Sequence, residues 1–313
     1  MRIIFMGTPD FAVGTLEELA GSEHEVVLVV SQPDRPKGRG HSLQPTPVKA
    51  AAERLGIPVI QPLKVREAAE TLEQTEANVI VVAAFGQIIP KEILNMKKYG
   101  CVNVHASLLP KYRGAAPIQW ALVNGEKESG VTIMQMDEGL DTGDMLAKVV
   151  VPLDADETGG SLFDKLSLAG ARLCAETLGR LARGEVIPEK QGESPTAYAS
   201  MLKKSMGKID WTKNAVSIER LVRALNPWPS AYTRLFGKTL KIWKCHVLPD
   251  GARKGVCGEI MELRKDAILV QTGEGLLSVT ELQLEGKARM ETSAFLRGYK
   301  IEPGMILPAE KED

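Results

Sequence analysis

Arg2-Ile3-Ile4-Phe5-Met6 runs without apolar/polar alternation into Gly7-Thr8-Pro9-Asp10-Phe11, where a small-residue turn opens a helix over residues 9–20. A strand that is apolar at nearly every position is buried on both faces, as in a parallel sheet covered by helices. The same texture returns at residues 25–30, 78–85 and 101–105. Between these strands, helices are predicted at 47–55, with Pro47 at the start and Gly56 past the end, and at 65–72. This alternation specifies an α/β fold with a doubly wound, mostly parallel sheet. Residues 131–136 and 145–151 read as later strands that suit antiparallel pairing, and a long helix follows over 160–183.

The period is then lost. Residues 184–208 hold Gly192, Ser194-Pro195 and Gly207 with no helical or strand repeat, as expected of a connection. The expected division is a first domain over 1–189, a linker over 190–207 and a second domain over 208–313. The second domain opens with a helix whose Ile218, Leu221, Val222 and Leu225 follow the i, i+3, i+4, i+7 pattern and which Asn226-Pro227-Trp228-Pro229 stops. Short segments at 231–236, 239–246, 258–263, 267–272 and 275–284, with turn residues between them, predict a small OB-like β-barrel, joined by a helix near 293–297.

The chain has 313 residues, 44% hydrophobic and 25% charged, which suits two globular domains and disfavours disordered, collagen-like and disulfide-scaffold classes. Its longest apolar run, residues 79–85, is far short of the roughly 20 that a membrane-spanning helix needs. The N-terminus enters a strand directly and resembles neither a signal nor a transit peptide, so a cytoplasmic location is expected. Cys101, Cys174, Cys245 and Cys257 form no C-x-x-C pair, so no metal site and no disulfide framework is expected.

The net charge of −1 excludes a bulk polycation but divides unevenly. Residues 1–205 hold 22 Lys and Arg against 26 Asp and Glu, whereas residues 206–254 hold ten basic residues against Asp210, Glu219 and Asp250. Trp211, Trp228, Tyr232 and Trp243 are interspersed in that basic stretch, a composition suited to phosphates and exposed bases. The segment Arg35-Pro36-Lys37-Gly38-Arg39-Gly40-His41 is likewise basic and glycine-rich, suited to ordering on a ligand.

Neither G-x-G-x-x-G nor G-x-x-x-x-G-K-[ST] occurs, which removes the dinucleotide and phosphate-loop fingerprints. Chemistry concentrates elsewhere. Asn103 and His105 lie two apart at the C-terminal end of a strand, on one face, where open α/β sheets bind ligands. Residues 136–144 form a carboxylate-rich, glycine-hinged loop without the order of a calcium-binding EF-hand. A His, a nearby Asp and an Asn amide can move protons and stabilise an oxyanion without a covalent nucleophile. Cys101 is the competing nucleophile, but it sits on a buried strand with no base identified beside it.

Asn103-Val104-His105-Ala106-Ser107-Leu108-Leu109-Pro110, Arg113-Gly114-Ala115-Ala116-Pro117-Ile118-Gln119 and Gly139-Leu140-Asp141-Thr142-Gly143-Asp144 resemble the 10-formyltetrahydrofolate-dependent formyltransferases. Gly7-Thr8-Pro9-Asp10-Phe11-Ala12 and the basic segment from Gln32 to Gly40 resemble the branch of that family that acts on charged tRNA. The resemblance spans essentially the whole chain and implies a Rossmann-like domain followed by the small barrel. It implies Asn103, His105 and Asp141 as the catalytic set, with either His105 or Asp141 as the immediate base. The folate would lie against Gln87, Ile89, Ser107, Leu108, Leu109 and Pro110. The aminoacyl end of charged initiator tRNA would meet Thr8, Phe11, Arg35, Lys37 and Arg39, with Arg39 the preferred contact. The implied co-substrate is 10-formyltetrahydrofolate, with no metal, and the implied state is a monomer. The catalytic set alone also suits formylation of an amino sugar or of glycinamide ribonucleotide; the second domain and the basic segment favour tRNA. A folate- or RNA-binding protein without catalysis is the other class, disfavoured by the presence of all three catalytic residues.

Overall fold

The computed structural model describes residues 1–37, 42–248 and 255–308. They form two compact units. The first comprises Met1–Pro117, Glu128–Leu153 and Phe163–Ala199; the second takes Ile118–Lys127, Asp154–Leu162 and the chain from Ser200 onward. The chain therefore visits the second unit twice before residue 200.

In chain order the first half contains β1 (Arg2–Gly7), α1 (Asp10–Ala20), β2 (Glu25–Val30), β3 (Arg35–Lys37), β4 (Ser42–Gln44), α2 (Pro47–Arg54) and β5 (Val59–Ile60). It continues with α3 (Ala69–Gln74), β6 (Val79–Ala83), α4 (Lys91–Leu94), β7 (Cys101–His105), α5 (Pro117–Val123), β8 (Glu128–Gln135), β9 (Met145–Pro152) and α6 (Gly159–Ala182). Seven strands make one sheet in the order β5-β2-β1-β6-β7-β8-β9. The first five are parallel, and β8 and β9 are antiparallel additions. Strand order reverses between β1 and β6, which places a ligand crevice beyond their C-terminal ends. Gly7 pairs with Ala83 and Val82 with Asn103, so the C-terminal ends of β1, β6 and β7 lie side by side.

The unalternating strands are buried on both faces. Ile4, Met6, Ile80, Val82 and Cys101 join one apolar cluster, while Ile3, Phe5, Val79 and Val81 are equally inaccessible to solvent. Removing Phe5 down to alanine removes a fully buried ring, a change that typically costs about 3–5 kcal/mol. Helix α2 starts as its sequence specifies, with Pro47 in the first turn and the Thr46 hydroxyl accepting from the Lys49 N–H. Residues 65–72 are not one α-helix: a 3₁₀ turn, Val65–Ala68, precedes α3. Residues 35–44 hold a short antiparallel pair, β3 with β4, that the glycine and proline content concealed.

The second unit contains α7 (Ala215–Ala224), β10 (Ala231–Leu235), β11 (Lys238–Leu248), β12 (Ile260–Leu263), β13 (Ile268–Gln271), β14 (Leu276–Leu284), β15 (Met290–Glu291) and α8 (Thr292–Gly298). The strands form one antiparallel sheet in the order β10-β11-β14-β13-β12, with β15 on β14. Phe236 and Gly237, both at positive φ, make the two-residue turn between β10 and β11, the geometry whose twist matches a hairpin. Helix α7 is capped by the Asn214 side chain, whose Oδ1 accepts from the Ser217 N–H at 2.7 Å. Its Ile218 and Val222 join a core with Leu240, Ile242, Leu282 and Phe295. Trp211 belongs to that core too: it is 3% exposed and its indole N–H donates to the Thr233 hydroxyl, so it is not the base contact that its charged neighbourhood suggested.

Candidate active site

One face of β7 changes character along its length. Cys101 is buried at the apolar end, donates to the Ile93 carbonyl at 3.6 Å, and has its thiol pushed up to about 12 by burial. A thiol held protonated is no nucleophile at neutral pH, which removes the covalent alternative. Two residues on, Asn103 is half-buried and its amide has no partner among the described residues. Two further, His105 is 6% exposed at the strand end.

The imidazole has a defined orientation. Its Nε2 lies 3.1 Å from the Tyr112 carbonyl, and since a carbonyl only accepts, Nε2 carries a proton. The other nitrogen, Nδ1, therefore faces the Asp141 carboxylate, 3.7 Å from Oδ2. That separation exceeds a direct hydrogen bond and suits an ion pair or a bridging water. Asp141 Oδ2 also accepts from the Gly114 N–H at 2.9 Å, which fixes which oxygen is turned to the ring.

Two loops deliver these groups. The turn after β7 is stapled internally: the Thr132 hydroxyl donates to the Ser107 carbonyl at 2.7 Å and accepts from the Leu109 N–H, while the Ser107 hydroxyl donates to the Lys111 carbonyl. Leu109 is buried with Met134 and Met145 beneath it. In the loop between β8 and β9, Asp137 Oδ1 accepts from the Gly139 N–H and the Thr142 hydroxyl, a local turn that leads into Asp141. Gly143 admits no side chain, because a Cβ there would lie 1.9 Å from the Gln135 carbonyl.

The other expected contacts fall into groups. His105 and Asp141 meet, 3.7 Å apart, and Asn103 lies two residues before His105 on the same strand. The Gln87 side chain is committed to the chain itself, accepting from the Val65 N–H and donating to the Leu63 carbonyl, so only its backbone can face a ligand. Ile89 is buried, Ile88 beside it is exposed, and Ser107, Leu108, Leu109 and Pro110 form the stapled turn. The Thr8 hydroxyl donates to the Phe85 carbonyl at 2.9 Å, tying the ends of β1 and β6. Phe11 is buried edge-on against Phe163, 5.5 Å between ring centres, so its ring packs α1. Arg35 is exposed on β3 and donates to Gln32 at 3.4 Å; Lys37 ends that strand. Arg39 lies outside the described residues. Sequence reasoning missed the Tyr112 carbonyl, the Gly114 N–H and Gln191. Backbone groups carry no residue signature, and a glutamine in an irregular segment has no period to betray it.

In the second unit, Trp243 is half-buried on β11 with Lys241 Nζ 5.5 Å and the Arg289 guanidinium 4.8 Å from its ring centre. Arg289 is also paired with Glu281. Among the described residues no cluster of three or more His, Cys, Asp or Glu side chains is arranged to hold a metal ion, and no helix is long and apolar enough to cross a membrane.

Fold and site together define a formyl-transfer enzyme: the family described as Formyl transferase matches residues 1–178, and Formyl transferase, C-terminal domain, matches residues 201–300. The methionyl-tRNA formyltransferase of Agathobacter rectalis is 58% identical over 306 residues, 97% of this chain and 98% of that protein. That of Citrifermentans bemidjiense is 54% identical over 309 residues, 98% and 96% of the two chains. The chain belongs to the methionyl-tRNA formyltransferase family. A solved N-formyltransferase from Helicobacter canadensis, in complex with folinic acid and dTDP-3-aminofucose, shares the fold with a TM-score of 0.66 at 20% identity, over 89% of this chain and 99% of that one.

Proposed function

We infer that this chain carries out the reaction of its family, in which the formyl group of 10-formyltetrahydrofolate passes to the α-amino group of methionine esterified to initiator tRNA. A bond forms between the amine nitrogen and the formyl carbon, the bond from that carbon to N10 breaks, and one proton leaves the amine and ends on N10. The folate supplies the formyl carbon and its leaving nitrogen. The chain supplies orientation, a donor for the developing oxyanion and a place to hold the proton.

Asn103 is the donor, because its amide is uncommitted on the strand face that leads to His105. His105 takes up a proton only at Nδ1, since Nε2–H is engaged by Tyr112, and the imidazolium so formed lies against Asp141. A free α-amino group has a pKa of about 7.7–8.0, so much of the amine is already neutral near pH 7.5 and the base need only be modest. The placement of Asn103, His105 and Asp141 at one sheet end is the observation that carries this reading.

The folate rests on the backbone at Gln87 and Ile89 and on the turn at Ser107, Leu108, Leu109 and Pro110. Arg35, Lys37 and Arg39 grip the acceptor end of the tRNA, and Trp243 with Lys241 and Arg289 contacts its backbone or an exposed base; the interspersed charge and ring support this. The enzyme acts in the cytoplasm, where its four unpaired cysteines stay reduced, and as a monomer, the state its family resemblance implies. The deciding experiment supplies labelled 10-formyltetrahydrofolate with charged initiator tRNA, charged elongator tRNA and small amines. Label is expected on the charged initiator; preference for the small amines would overturn the acceptor assignment.

A further inference from the structure

We propose that Gln191 is a positioning residue for Asp141, holding the loop so that the carboxylate faces His105; this rests on the reading of Asp141 as catalytic. Both residues that the imidazole addresses have left-handed backbone without being glycine, Tyr112 at φ 56° and Asp141 at φ 56°. Such conformations are disfavoured for L-residues and persist where surrounding bonds enforce them. The enforcing bonds come from residues 189–199, the stretch that sequence marks as mere connection.

Gln191 makes the contacts that matter at Asp141. Its Nε2 donates to the Asp141 carbonyl at 2.9 Å and to the Gly143 carbonyl at 2.7 Å, two groups that bracket Thr142. Its Oε1 accepts from Arg113 Nε at 3.0 Å and Nη2 at 2.8 Å, and Arg113 Nη2 also donates to the Gly192 carbonyl. The amide is thus clamped at one end by a two-pronged guanidinium and clamps the loop at the other. Around it, Glu189 and Met145 exchange backbone bonds, and the Thr196 hydroxyl accepts from the Tyr112 N–H at 2.7 Å. One segment therefore braces both partners of the His105 ring.

The chemistry asks for glutamine. A glutamate keeps the acceptor for Arg113 but has no N–H for the two carbonyls, and an asparagine is a methylene too short to bridge both ends. Because a catalytic carboxylate displaced by about 1 Å can cost on the order of 10²-fold in rate, loss of the brace is read in kcat.

The test compares the full-length parent enzyme with Gln191→Ala, Gln191→Glu, Asp141→Ala and the Gln191→Ala/Asp141→Ala double variant, measuring kcat, KM for each substrate and folate affinity. Gln191→Ala and Gln191→Glu are each expected to lower kcat by about 10- to 100-fold with both KM values within about twofold. In the Asp141→Ala background, Gln191→Ala should change kcat by less than about twofold, because its effect passes through the missing carboxylate. A full multiplicative loss in that background, or a single variant within twofold of the parent, overturns the proposal. If Gln191→Ala does not fold, Arg113→Lys, which loses the fork on Oε1 and keeps the glutamine, must show a smaller kcat loss that also vanishes with Asp141→Ala. A parent-like Asp141→Ala enzyme would instead overturn the catalytic reading itself.

Discussion

The C-terminal end of the parallel sheet and the antiparallel sheet of the second unit both carry polar chemistry, but they hold it differently. At the sheet end His105 is 6% exposed, and its ring nitrogen is fixed by a main-chain carbonyl. In the second unit, Lys241 and Arg289 lie over a half-buried Trp243, where solvent and salt compete for every contact. Buried, backbone-fixed groups suit bond making, because their dipoles are set before the reaction begins. Partly and fully exposed cations near a ring suit a large anionic partner, whose binding they strengthen without fixing a single geometry.

The contrast breaks most sharply in rate. Asp141→Ala is expected to lower kcat by about 10³-fold while folate affinity stays within about twofold and salt has no special effect on the loss. Asn103→Ala, which removes one donor to the developing oxyanion, should lower kcat by about 10²- to 10³-fold at nearly constant KM. Equal losses in folate affinity and in kcat would mean that these groups serve binding instead.

Removal of cations should produce the opposite signature. Lys241→Ala combined with Arg289→Ala is expected to raise KM for charged tRNA by about tenfold at low salt, with kcat nearly unchanged and the salt slope shallower by about one per lost contact. Arg39→Ala should raise KM for charged tRNA severalfold while leaving folate affinity intact. If either effect is independent of salt, the contacts are not electrostatic.

The smallest effect belongs to Cys101. Burial raises its thiol to about 12, so the thiolate is absent across the working range and appears only as pH climbs toward that value. Cys101→Ser is expected to keep turnover within about twofold, and alkylation of native Cys101 should stay far slower than that of an ordinary thiol throughout pH 6 to 9 and show no plateau near pH 9, where an ordinary thiol levels off.

The parallel strands were legible because they are buried on both faces and therefore read as unbroken apolar runs, from residue 2 to residue 105. Asn103 and His105 were legible because a strand has a period of two. Asp141 was reached through the resemblance, not through spacing, since its position depends on a left-handed backbone that a carboxylate-rich loop does not announce. Trp211 was misread because an aromatic ring beside charged neighbours can still turn inward, as this one does. The β3–β4 pair and the 3₁₀ turn at Val65–Ala68 depend on local hydrogen bonds that hydrophobic period does not encode.

In the proposed reaction His105, held at Nε2 and facing Asp141 at Nδ1, carries the proton that formyl transfer displaces. Single-turnover transfer of labelled formyl to charged initiator tRNA by His105→Ala, with both substrates saturating, tests it most directly. The expected rate is lower by about 10³-fold or more, with folate and tRNA affinities kept within about twofold. A single-turnover rate within about tenfold of the parent enzyme would contradict it.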